Sequence, residues 1–364
     1  MSVTVPFNAL KPAEDAADVK AAIDRVLASG WFVLGPEVEA FEREFAAASK
    51  VPYSVGVGTG TDAITLILRA LDIGPGDEVI TTPLSAAYSA LAIMMAGARP
   101  VFADIDAERL TLDPRAAEAA VTSRTRAIMP VHLYGQAADM RAFEALAAKH
   151  NLALVEDAAQ AHLATADGRP VGTIGVAAAT SFYPTKNLGA AGDGGAVLTR
   201  DARLAERVKR LRNGGQTSRY HHEEFGVNSR LDEMQAAILR ARLAYLPAWT
   251  AKRRAIAARY RTALGAGAKV ILPREFDAGH VYHLFPVLTA ERERFQAHMK
   301  NSGIETLIHY PVAITHQPAL ASCSPAVCPI ADRVCSQVVS LPMYPGLSDA
   351  AAAAVAEAAS TFGR

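Results

Sequence analysis

Between Glu78 and Glu156 the chain alternates short apolar runs with amphipathic stretches, and that alternation limits the fold more than any other feature. Val79–Thr82, Arg99–Ala103, Arg126–Val131 and Leu152–Glu156 read as strands. Ser85–Ala96, Pro114–Val121 and Met140–His150 read as helices between them. Strands that are apolar along their whole length are buried on both faces, which implies a mainly parallel sheet with helices on either side. Ligands of such sheets sit beyond the carboxyl ends of the strands. Asp157 follows directly on Leu152–Glu156, so it lies at such an end. Two further strands, 177–183 and 195–199, and a helix at 201–212 continue the pattern.

The flanks read differently. Residues 14–29 and 36–49 form two amphipathic helices, with Val38, Phe41 and Phe45 at helical spacing. The apolar connector between them, Gly30-Trp31-Phe32-Val33-Leu34-Gly35, reads as packed into the core; the alternative is an aromatic wall of a site. Residues 213–230 are polar. A long helix begins near Leu231, is interrupted or kinked at Pro247, and resumes to about Leu264. After a turn over Gly265–Lys269 the texture changes to strands at His280–Leu288, Glu305–Ile308 and Gln337–Ser340 and helices at Ala290–Asn301 and Asp349–Ala359. This divides the 364 residues into a large domain, 1–245, and a small C-terminal α+β domain, 246–364.

Lys+Arg and Asp+Glu number 37 each, so no net field favours nucleic acid or an anionic membrane. The start has no basic segment followed by an apolar core, and apolar runs break well before the ~20 residues of a membrane span. The expectation is a cytoplasmic protein with no membrane or nucleic-acid partner. Cys323, Cys328 and Cys335 lack the spacing of a metal pair and read as free thiols, with no metal site.

Four pieces carry chemistry. Gly60 and Thr61 open a helix after the strand Tyr53–Val57; free amides there could cradle a phosphate, or the turn is simply Thr-capped. Asp157 can hold a ring N–H. Lys186 lies in the loop Tyr183-Pro184-Thr185-Lys186-Asn187-Leu188-Gly189 and can bond an aldehyde as an imine. Ser181 can add a hydroxyl to the phosphate. An acid and a lysine so placed are what a pyridoxal 5'-phosphate site needs, because the acid keeps the pyridine nitrogen protonated and the ring electron-accepting.

On these residues the sequence resembles the DegT/DnrJ/EryC1/StrS sugar aminotransferases. The resemblance runs from Ser29–Gly35 and Gly60–Ala63 through Glu156–His162 and Ser181–Gly189 to Gly226–Ala237 and Ile308–Pro311. It implies the aspartate aminotransferase fold (fold type I), with a mostly parallel seven-stranded sheet. It implies Lys186 as the Schiff-base lysine, Asp157 at the pyridine nitrogen and Gln160 at the ring hydroxyl. Gly60, Thr61 and Ser181 would bind the phosphate, and Asn228 would reach the neighbouring subunit's phosphate in a homodimer with shared sites. Where the family stacks an aromatic or histidine on the ring, this chain has Ala86; Tyr88 is the nearest aromatic and either stacks instead or packs in the core.

Tyr220-His221-His222, Tyr282-His283-Leu284 and Gly303–Pro311 resemble the branch acting on dTDP-linked 3-keto sugars, with L-glutamate as donor and Tyr183, His309 and Tyr310 facing the sugar. A UDP-linked acetamido keto sugar and an aminocyclitol remain alternatives. Lys186 argues against the dehydratases that carry histidine at this position, and the cysteines lack an iron–sulfur motif. A non-catalytic cofactor-binding regulator is the rival of a different class. A nicotinamide dehydrogenase would need a glycine spacing that Gly58–Gly60 lacks.

Overall fold

The computed structural model describes residues 4–265, 269–323 and 325–363. In chain order the elements are α1 Ala16–Ser29, α2 Pro36–Ala48, β1 Tyr53–Val57, α3 Gly60–Ala70, β2 Glu78–Thr81, α4 Tyr88–Met95 and β3 Arg99–Phe102. Then come α5 Pro114–Ala119, β4 Thr125–Met129, α6 Met140–His150, β5 Ala153–Asp157, β6 Ala177–Ser181, β7 Gly195–Thr199 and α7 Ala202–Leu211. The chain closes with α8 Glu233–Leu243, α9 Leu246–Leu264, β8 Phe285–Leu288, α10 Arg292–Asn301, α11 Pro329–Gln337, β9 Val338–Leu341 and α12 Asp349–Thr361.

Seven strands form one sheet in the order β1-β7-β6-β5-β4-β2-β3. All pairs are parallel except that β7 runs against both of its neighbours. The sheet is the mostly parallel α/β type that the alternation implies. Successive strand residues point to opposite faces, and both faces are filled. Ile80, Ile128, Leu154 and Leu198 pack with Phe41, Phe45, Phe143 and Leu239 of α2, α6 and α8. Val79, Met129, Val155 and Val197 pack on the other side with α3, α4 and α7. Helices α3, α6 and α7 start on side-chain caps, Thr59, Asp139 and Asp201, each accepting an amide that would otherwise lack a partner.

A separate apolar cluster joins α9, α10, α12, β8 and β9, and Val5 from the N-terminal segment belongs to it. Here the sequence reading needs correction. Only Phe285–Leu288 of the run from His280 is strand; the remainder is buried but irregular. Glu305–Ile308 is not a strand, and Leu307 makes only an isolated bridge to Ser340. Helix α11 was not foreseen. Of the two expected outcomes the 231–264 helix shows the interruption, two residues before Pro247, so that Pro247 sits in the first turn of α9, where its missing N–H costs nothing. The turn expected over Gly265–Lys269 falls across 266–268, outside the described residues. The three cysteines are free and buried.

Candidate active site

The four chemical pieces meet at one end of the sheet. Asp157 is the last residue of β5 and Ser181 the last of β6; Gly60 and Thr61 open α3. A Cβ on Gly60 would stand 2.7 Å from Ser181 Cβ, so only glycine lets the two segments touch. The Gly60 and Thr61 amides donate to no group among the described residues, as the first turn of a helix leaves them. Thr59 caps the same helix through the Asp62 amide at 3.0 Å, so the capped turn and the open amides coexist.

Asp157 is 4% exposed. Its Oδ2 accepts the Ser89 hydroxyl at 2.7 Å and its Oδ1 accepts the Ala159 amide at 3.1 Å. Among the described residues it pairs with no cation, although Lys186 is near enough to feel its charge. A buried carboxylate without a counter-ion is costly unless a positive group meets it. Glu156, one residue earlier and on the opposite face, has no such vacancy. It accepts amides from Gly172, Ile174 and Gly175 and lies 3.1 Å from His132 Nε2. Burial works to raise Glu156, yet these bonds hold it below the usual carboxylate range.

Lys186 stands in the loop between β6 and β7, its amide on the Tyr183 carbonyl at 2.8 Å. Gly189 permits the loop's tight return, because a Cβ there would lie 2.5 Å from the Pro184 carbonyl oxygen. Burial lowers the Lys186 amine to about 8, with Asp157 acting in the other direction. That brings a nucleophilic free amine within reach of neutral pH.

Gln160 accepts the Tyr134 amide at 2.8 Å and donates to the Tyr310 hydroxyl at 3.2 Å. Tyr134 sits at a positive φ of 60° and bonds the His309 carbonyl through its hydroxyl. Burial pushes Tyr310 up to about 12 and His309, which also feels Lys186, down to about 4. His309 lies 3.0 Å from Ser340 Oγ and stacks on Phe7. The Tyr310 hydroxyl is thus engaged by Gln160.

The rim is open. Tyr88, first residue of α4, is 64% exposed and not core; Tyr183 is 53% exposed. Asn228 is also exposed, bridging Asn213. The core-packed reading of Gly30–Gly35 fails, since Trp31 is 57% and Phe32 50% exposed. The loop is instead held from beneath by buried Glu233, which accepts the amides of Gly35, Glu37 and Val38. Ser89, Tyr134 and Glu233 are the residues that sequence reasoning missed. A serine or a glutamate on a helix gives no signal of its own.

This arrangement fits pyridoxal 5'-phosphate. Asp157 lacks only a cation, the Gly60 and Thr61 amides lack only an anion, and Lys186 carries a lowered amine between them. Fold and site together define a pyridoxal phosphate-dependent aminotransferase. The chain belongs to the DegT/DnrJ/EryC1/StrS aminotransferase family, whose model matches residues 13–360. It is 50% identical over 351 residues to the dTDP-3-amino-3,4,6-trideoxy-alpha-D-glucose transaminase of Streptomyces venezuelae, covering 94% of this chain and 92% of the relative. It is 43% identical over 354 residues to a protein of Geobacillus stearothermophilus named a pleiotropic regulatory protein, covering 96% and 94%. The crystal structure of S. venezuelae DesV in complex with a ketimine intermediate superposes with a TM-score of 0.95 at 49% identity, covering 97% of each chain. Among the described residues no helix is long and apolar enough to cross a membrane.

Proposed function

We propose that the protein moves the amino group of L-glutamate onto a dTDP-linked 3-keto-6-deoxyhexose, in the cytoplasm, as a step in deoxyamino-sugar formation. The observation that carries the chemistry is the buried, cation-free Asp157 facing the lowered amine of Lys186. The acceptor class rests on the half-identical S. venezuelae transaminase.

The bound cofactor supplies an electron sink for the carbon that loses its proton. The chain supplies the rest. Asp157 accepts the pyridine N–H and keeps it protonated. Gly60, Thr61 and Ser181 hold the phosphate. Gln160, fixed by Tyr134 and Tyr310, would meet the ring hydroxyl, and Tyr88 would cover the ring. Lys186 would serve as a free amine beside the reacting carbon. It takes the donor's α-proton and returns it one atom along, as base and then acid. Tyr183, His309 and Tyr310 line the sugar side. His309 stays neutral at physiological pH, so it can offer a hydrogen bond without adding charge beside Lys186.

The exposed apolar rim and Asn228 support a homodimer in which each subunit completes its partner's site. We divide the chain into a large domain, 1–245, and a small one, 246–364, a reading that the interruption between α8 and α9 supports. A panel of keto-sugar nucleotides, dTDP- and UDP-linked, with L-glutamate tests the function through 2-oxoglutarate release. Turnover only with free keto acids would overturn the sugar assignment. Visible colour that no donor bleaches would favour the regulatory role that the Geobacillus relative's name carries.

A further inference from the structure

Asp157 is held by two neutral donors of different kinds. One is the amide of Ala159, which comes with the chain path and fixes Oδ1 at 3.1 Å. The other is the Ser89 hydroxyl, 68 residues away in sequence, at 2.7 Å from Oδ2. Ser89 is 3% exposed. A single hydrogen bond leaves a carboxylate free to rock about its Cβ–Cγ bond; a second, on the other oxygen, fixes its plane. A hydroxyl that donates to a carboxylate also favours the charged form over the neutral acid. With no cation paired to Asp157 among the described residues, Ser89 is the one side chain that does either.

We propose that Ser89 is a positioning residue acting through Asp157: it sets the plane of the carboxylate that would receive the cofactor's pyridine N–H. The inference rests on the aminotransferase reading of Asp157. Its effect is transmitted to the site by its one hydrogen bond to Asp157.

The test is a titration of the full-length apoprotein with pyridoxal 5'-phosphate, followed by protein fluorescence, alongside the visible band of the loaded protein. Ser89→Ala should weaken cofactor binding about tenfold, the order expected for one hydrogen bond to a charged group. It should also move the pH at which the visible band titrates. Ser89→Thr should recover both within about twofold, and Ser89→Cys, of similar size but a weak donor, should fall between. In an Asp157→Asn background, Ser89→Ala should change affinity by less than about threefold, because the charged acceptor is gone and only a neutral hydrogen bond remains to be lost. Parent-like affinity and band in Ser89→Ala, or losses that simply multiply in the double variant, would overturn the proposal. If Ser89→Ala does not fold, the Thr and Cys variants carry the same comparison. Parent-like cofactor binding by Asp157→Asn alone would instead sink the role of Asp157, and the functional reading with it.

Discussion

Two regions of the site are built on opposite principles. The floor is Asp157, Ser89 and Gln160, withdrawn from solvent, with Tyr310 half-buried beside them, and each member is bonded to another member or to the backbone. The rim, Trp31, Phe32, Tyr88, Tyr183 and Asn228, is exposed, and its aromatic side chains spend little of their surface on the fold. The difference teaches what each region is for. Groups that must hold one charge in one place are buried and over-determined. The rim groups are left open, and Trp31 and Phe32 among them stand on a loop anchored from below by Glu233.

Four substitutions or conditions break or sharpen that contrast. The largest loss belongs to the floor. Lys186→Ala should reduce transamination by about 10³-fold or more and remove the visible band; turnover within tenfold of the parent would break the assignment. Asp157→Asn should cost roughly 10²-fold in kcat through loss of the charge opposite the ring nitrogen, measured as 2-oxoglutarate release under saturating cofactor. The Lys186 amine, lowered to about 8 by burial, is protonated below that pH and free above it. Cofactor capture by the apoprotein, followed by absorbance, should therefore quicken about tenfold from pH 7 to 9 and then level off. A rise continuing to pH 10 would mean an amine no different from one in water. The smallest effect belongs to the rim: Tyr183→Phe should raise KM for the keto sugar about fivefold and leave cofactor affinity unchanged. Loss of cofactor affinity in that variant would erase the division between floor and rim.

The floor was half legible in the sequence. Asp157 and Lys186 could be found because Asp157 ends one apolar strand and Lys186 stands in the Pro- and Gly-containing loop just beyond another. Ser89 on Asp157 and Tyr310 on Gln160 could not, because the partners are 68 and 150 residues apart and only the folded sheet brings them together. The sheet was legible because strands buried on both faces leave unbroken apolar runs. The C-terminal cluster was less so. Its buried run from His280 to Leu284 has the composition of a strand, but among the described residues only Phe285–Leu288 is paired as one. The rim was misjudged for a related reason: Trp31 and Phe32 have core composition, and exposure is a property of what does not cover them.

The reversal of β7 has a consequence for how the site is assembled. Because β6 and β7 are antiparallel neighbours, the lysine loop joins adjacent strand ends and Ser181 lies opposite Gly195. Ser181 packs against Gly60, and Gly195 leaves room for the backbone of Thr59 and Gly60. One rung of the ladder therefore locates both the start of α3 and the loop that carries Lys186, and a slip of that rung would displace the two together.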